Sequence, residues 1–590
     1  AGSLTADTVT LGAFNLNLAG DGSITFNATD TTAAFAIVKD GAGTADLGDL
    51  TLGADLTLTV NGTGKILATS TTGDFNLTKD GVGLAELGNF SASATKTLAI
   101  NAGIAEVNNL TNSAAAVTIA NNATLSLDSG VAGTAQLTGA LTIQGTGAVG
   151  QGGAIVSVSG TNTLGNITLA DNATIKVLAD KLTAGDLNGA FTLTLDTADT
   201  VGTDDFVAGK TGSVIAITKD SAGTAVIGTV QEALNLVTVN GGVLEFRGTD
   251  SSGAARHTTL TKAGTGELIF TNSTAYYYGT NAADGVTLNA GTTTVKAGST
   301  LNSTVTVGAA AVFTVETGAF HIGDLISEGT VSSSLTGTQT GNVTLNTSGD
   351  FTVTSTGTLN GNITLNNLST LDVNSGGVIN GNLTGNDDSI SSVTGTLNGN
   401  ATLNNDADLT VEATGALNGN ISAADGSFVT ILGTTTGDTI DLTGDAMAVV
   451  LNGGLAQGDS QGVEITLHDG SFFGVDELGV VSGNITARNT SQAIIAGALT
   501  GNVDMTGDSD LFIWDTGVIN GEVSVTGDNQ PDADNTNAVI DGTLNGNLTL
   551  TSDARLTLSD TGVINGNIIS RNSSQSTVDG NLTGDLALSS

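Results

Sequence analysis

The sequence predicts an all-β chain wound as a right-handed parallel β-solenoid (a β-helix) of about 20 residues per coil, drawn out into a long rod. Three observations predict it. Short runs of Ile, Leu and Val alternate with Thr, Asn and Ser at period 2 from end to end, and helical spacing is nowhere sustained. An apolar-Asn-Gly-Asn-apolar phrase returns at near-constant spacing, as in Leu359-Asn360-Gly361-Asn362-Ile363 and Ile379-Asn380-Gly381-Asn382-Leu383. Composition agrees: among 590 residues there are 83 Gly but one Pro (Pro531) and no Cys, and 39% are apolar, too many for a disordered acidic chain.

The amino-terminal elements repeat a Lys phrase. "FAIVKDGAGTADLGDL" (35–50), "FNLTKDGVGLAELGNF" (75–90), "IAITKDSAGTAVIG" (215–228) and "TTLTKAGTGELIFTNS" (258–273) align on Lys39, Lys79, Lys219 and Lys262. Each leads through a second strand to an Asn turn, as in "LTLTVNGTGKILA" and "LVTVNGGVLEF". Lys79 follows Lys39 by 40 residues, two coils. In an acidic chain such lysines are expected at equivalent turns, exposed, pairing with carboxylates of neighbouring coils.

The carboxyl-terminal elements repeat the Gly-Asn corner. It carries Asn342, Asn362, Asn382, Asn400, Asn420, Asn484, Asn502, Asn547, Asn567 and Asn581, with Glu522 as a variant, in steps of 20, 20, 18, 20, 64, 18, 20, 25, 20 and 14 residues. The 64 is read as three coils that have lost their marker. The 25 contains "TGDNQPDADNTNAV" with Pro531, a loop inserted in one coil. Within a step the pattern is short strand, turn, short strand, and Asn-Gly or Asp-Gly supplies the corner. A unit this small buries its apolar face only by stacking on its neighbours. Stacking at a parallel-strand spacing of about 4.8 Å would place the ten Asn in a structural ladder down one edge. The organisation read from these phrases is 1–300, a solenoid with Lys-x-Gly-x-Gly repeats, and 301–590, a solenoid with Gly-Asn corners continuous with the first.

The Lys phrase resembles the autotransporter-associated β-strand repeat. Its best copy is Leu260-Thr261-Lys262-Ala263-Gly264-Thr265-Gly266-Glu267-Leu268, followed by Val286 to Val295. The resemblance covers about residues 30–300 and implies a β-helical passenger-like surface protein outside a Gram-negative-type bacterial cell. Autotransporters end in a membrane barrel, whereas this sequence ends "NLTGDLALSS".

The chemistry legible in the sequence is sparse. A net charge of −42, with 15 Lys and Arg, excludes nucleic acid as a partner. No apolar run is long enough for a transmembrane helix. His257, His321 and His468 lie several coils apart and form no common site. Asp204/Asp205 and Asp387/Asp388 resemble the paired carboxylates of polysaccharide-cleaving enzymes, but acid-rich turns also build coil corners. Tyr276-Tyr277-Tyr278 is the one aromatic cluster, read as an exposed loop. "TGDTIDLTGD" (436–445) resembles one copy of a calcium-binding nonapeptide roll with Asp438 and Asp441 as ligands, so calcium is the one cofactor considered, and none is required.

The function expected is a non-enzymatic extracellular structural protein. It would associate with itself, end to end or through an exposed strand, into a surface filament, coat or biofilm-matrix layer, since the repeat runs to both ends without an evident cap. Cell-surface or matrix polysaccharide is a further expected partner. The alternatives are a monomeric cell-surface adhesin passenger and a polysaccharide-active β-helix enzyme.

Overall fold

A computed structural model describes residues 3–33, 35–108, 113–130, 133–198, 204–230, 234–248, 259–271, 276–277, 285–329, 332–458, 462–528 and 537–589. Every named element among them is a strand, and the strands pair in parallel with segments about one repeat away. The fold is a β-solenoid. It contains two compact units, Ala1–Thr304 and Val305–Ser590.

In the second unit each coil is three short strands. Thr358–Asn360, Ile363–Leu365 and Thr370–Val373 make one coil, and Val378–Asn380, Leu383–Asn386 and Ile390–Val393 stack on them. Alternation decides which side chains enter: Leu359, Ile363, Leu365, Leu371 and Val373 are all buried, with Asn360, Thr364 and Asp372 between them facing out. One inward column runs Val343, Ile363, Leu383, Ala401, Ile421, Ile440, Ile465, Ile485, Val503, Val523, Leu548, Ile568. Three coils span the 64-residue gap, with Asp438 and Glu464 replacing the Asn at their corners. Asp510 pairs with Asn537, a step of 27 residues that accommodates the insertion; Pro531 lies outside the described residues.

The first unit has the same layout with looser spacing. Ser3–Leu11 stacks on Ser23–Thr31, and Phe35, Leu56, Leu77, Leu98, Val117, Leu141 and Ile167 form a column in register.

Glycine at the Gly-Asn corner answers a need for space. A Cβ on Gly381 would lie 2.2 Å from Gly361 O, and one on Gly399 2.2 Å from Gly381 O. Coils stack so closely there that any side chain would push them apart.

Candidate functional site

The lysines of the amino-terminal phrase are buried, which corrects the expectation of exposed turn residues. Lys39 is 1% exposed and Lys79, Lys219 and Lys262 are 0% exposed. Each occupies an inward position of its strand: in Leu77–Asp80, Leu77 and Lys79 point in while Thr78 and Asp80 are half-buried. The Lys79 stem is flanked by Leu58 and Ile100 in register, and that of Lys219 by Leu195 and Val239. Lys39 faces Val60, however, whereas Lys79 faces Leu58, so the two lysines are not in one column.

Their ammonium groups donate to corner carbonyls rather than to acids. Lys79 Nζ donates to Asp80 O at 2.8 Å, Gly81 O at 2.7 Å and Ala102 O at 3.0 Å. Lys39 Nζ bonds Gly20 O at 2.8 Å, Asp40 O at 2.5 Å and Gly41 O at 3.5 Å. Lys219 uses Asp220 O, Ser221 O and Gly241 O at 2.6, 2.8 and 3.4 Å. Lys262 bonds Gly264 O and Gly266 O, each at 2.7 Å, and Ala290 O. Three donors thus meet three carbonyls, and one or more of the carbonyls belongs to an adjacent coil. Burial pulls the pKa of Lys79, Lys219 and Lys262 down to about 8, partly countered by nearby carboxylates such as Asp80 and Glu267. The chemistry of the Lys-x-Gly-x-Gly phrase is now explicit: the lysine fills the core with its stem and fastens the corner that follows it.

In the second unit, polar columns run along the corners. Asn362 N–H donates to Asn342 Oδ1 at 3.0 Å, Asn382 to Asn362 at 2.8 Å, Asn400 to Asn382 at 2.9 Å, Asn420 to Asn400 at 2.9 Å, and Asp438 to Asn420 at 2.8 Å. The links resume with Asn502 N–H to Asn484 Oδ1 and Glu522 N–H to Asn502 Oδ1, both 2.9 Å. Asn547 Nδ2 reaches Glu522 at 3.3 Å, and Asn567 N–H donates to Asn547 Oδ1 at 2.9 Å. These bonds are mostly side chain to backbone. Asn581 stands elsewhere: it belongs to Asn581–Leu582, opposite Val563, and Asp585 takes the place above Asn567, donating its N–H to Asn567 Oδ1 at 2.9 Å.

An amide-to-amide ladder does exist, made by the other Asn of the phrase. Asn380, Asn398 and Asn418 each donate Nδ2–H to Oδ1 of the Asn one coil before, Asn360, Asn380 and Asn398, at 2.8 Å. Asn545 and Asn565 repeat the bond at 2.8 Å on Asn520 and Asn545. A third column links Asn366, Asn386 and Asn404 to Asn346, Asn366 and Asn386 at 3.0 to 3.3 Å.

The carboxylate pairs are engaged in structure. Arg247 donates to both oxygens of Asp204, at 2.7 and 2.9 Å, and to both of Glu245, which holds the Asp204 carboxyl below its ordinary range. Asp205 is buried and accepts the Thr224 N–H at 2.8 Å. Asp387 and Asp388 form a left-handed corner, with φ of 53° and 59°. Asp438 is exposed in the corner column, whereas Asp441 lies in Thr439–Thr443 between Ser422 and Thr466. No group of three or more His, Asp or Glu able to hold a metal ion occurs among the described residues. Buried His321 packs edge-on against Phe313 at 5.2 Å; His257 and Tyr278 lie outside the described residues. The backbone of Tyr276–Tyr277 is a strand paired with Leu301 and Asn302, not a loop.

Fold and site together define a β-solenoid repeat protein whose polar side chains bond coil to coil. No family model matches the sequence, and no curated protein matches it. Among solved structures, the TibC-catalysed hyper-glycosylated TibA fragment 55–350 is similar at 16% identity and a TM-score of 0.27, over 51% of this chain and 94% of that one.

Proposed function

We propose that the chain is a non-enzymatic structural element of a bacterial cell surface that associates with itself into a filament, coat or matrix layer. The observation that carries this reading is where its polar chemistry goes. The four buried lysines and the Asn columns join one coil to the next, and the Arg247 clamp reaches Asp204 two coils away, the arrangement of a scaffold rather than of a reaction centre. A coil edge is also complementary to any other coil edge of the same repeat. Each inner coil bonds a neighbour on either side through its backbone, as Ile568–Arg571 does, and a coil of another molecule presents the same groups. The acidic flanks oppose side-by-side clumping, and calcium is proposed to screen or bridge them through carboxylates such as exposed Asp438 and half-buried Asp441. Sedimentation velocity over a micromolar concentration series, with and without calcium, tests the reading. Faster species that grow with concentration are expected; one unchanging monomer in both conditions refutes it and favours a monomeric adhesin.

A further inference from the structure

The single tryptophan of the chain lies outside the core. Trp514 is 52% exposed at the corner after Asp510–Ile513. Ile513, Ile540 and Leu558 stack in register, so the residue after each, Trp514, Asp541 and Ser559, comes from three successive coils. With Asp515, Asp560 and Thr561 they line a surface depression of about 490 Å³ that is wide open to solvent.

The lining is one-sided in its chemistry. It offers three carboxylates and two hydroxyls, and no Lys, Arg, His, Asn or Gln. Asp515 Oδ1 accepts its neighbour Thr516 N–H at 3.0 Å, while the side chains of Asp541 and Asp560 have no ion-pair or hydrogen-bond partner among the described residues. A neutral sugar would stack on the indole but would find no amide or cationic donor for its own oxygens. A cation is favoured twice, by the negative face of the indole and by the unpaired carboxylates beside it, in a chain of net charge −42 that attracts such ligands from a distance.

We propose that this depression binds an organic cation bearing N–H donors, a primary ammonium or a guanidinium, seated on the Trp514 ring and donating to Asp541 and Asp560. The group belongs to a free polyamine or to a basic side chain of a peptide, and two probes separate these sources. Because Trp514 is the only tryptophan, its emission reports on this corner alone. The chain is titrated at low ionic strength with spermidine, with tri-arginine and with the neutral disaccharide cellobiose.

A saturable emission change with one or both cations is expected, the tighter of the two identifying the source, and it should weaken as salt is added. The double substitution Asp541→Asn with Asp560→Asn should weaken it roughly tenfold. Trp514→Ala, followed by calorimetry, should abolish the saturable heat. The proposal is overturned by a linear, unsaturating response to both cations, by saturation with cellobiose alone, or by unchanged cation affinity in the double variant.

Discussion

Replacing Lys79 by Ala tests whether the buried lysines hold their corners. The substitution removes the donors from three carbonyls, at Asp80, Gly81 and Ala102, and empties the space between Leu58 and Ile100. Buried carbonyls left without a donor cost about 1 kcal/mol each at the low end, appropriate where water reaches a vacated corner. The cavity adds about 3 kcal/mol. Against this, the ammonium was itself opposed by burial: a pKa drawn from 10.5 to about 8 corresponds to about 3 kcal/mol that its removal returns. The net expectation is a loss of about 3 kcal/mol, felt locally because repeat coils contact only their neighbours. Native-state hydrogen exchange reads this at the Gly83 amide, bonded to Val60 O, and the Asn101 amide, bonded to Lys79 O, where exchange should quicken roughly a hundredfold. Lys79→Met keeps the stem and should stay within about 1 kcal/mol of the parent. Unchanged exchange at both amides in Lys79→Ala would refute the reasoning.

Three further outcomes are expected. The folded-state pKa of Lys79, Lys219 and Lys262 is depressed to about 8 from 10.5, so between those values the unfolded chain holds protons that the folded chain has released. Stability contributed by these groups should therefore rise with pH across that window, and a denaturation midpoint that falls in proportion to their number would contradict the assignment. Gly381→Ala forces a Cβ to 2.2 Å from Gly361 O and should destabilise by about 3 kcal/mol or more, whereas Gly12→Ala, with open space around it, should be tolerated; equal thermal shifts would show that the corner has room. Leu368 is 60% exposed and left-handed, with φ of 61°, next to Asn367 and in a corner that later coils build from Asp or Asn, so Leu368→Asn should stabilise by about 1 kcal/mol in chemical denaturation.

The solenoid was legible because its two signals are physical necessities of the fold. Period-2 alternation sorts side chains in and out, and the 20-residue step is the circumference of a coil. The lysines were misplaced because long charged side chains are ordinarily exposed, although strand parity already pointed inward: Leu77 and Lys79 are two residues apart and share a face. Their carbonyl partners come partly from other coils, at Gly20, Ala102 and Ala290, and no local motif shows them. Asn581 was separable in the sequence, since its step of 14 is too short for a coil, while the step of 18 to Asp585 is not. Which Asn of the phrase pairs amide to amide depends on the path of the backbone at the corner. The Trp514 depression was invisible because Asp541 and Ser559 join Trp514 only when three coils are stacked, across the insertion that spoils the count.

In the proposed function, coil-to-coil bonding continues from one molecule to the next. Electron microscopy of the purified chain, prepared across a concentration series, tests it most directly. The account predicts filaments or layers whose diffraction carries the coil spacing of about 4.8 Å along the stacking axis. Discrete particles of single-chain mass at every concentration would contradict it.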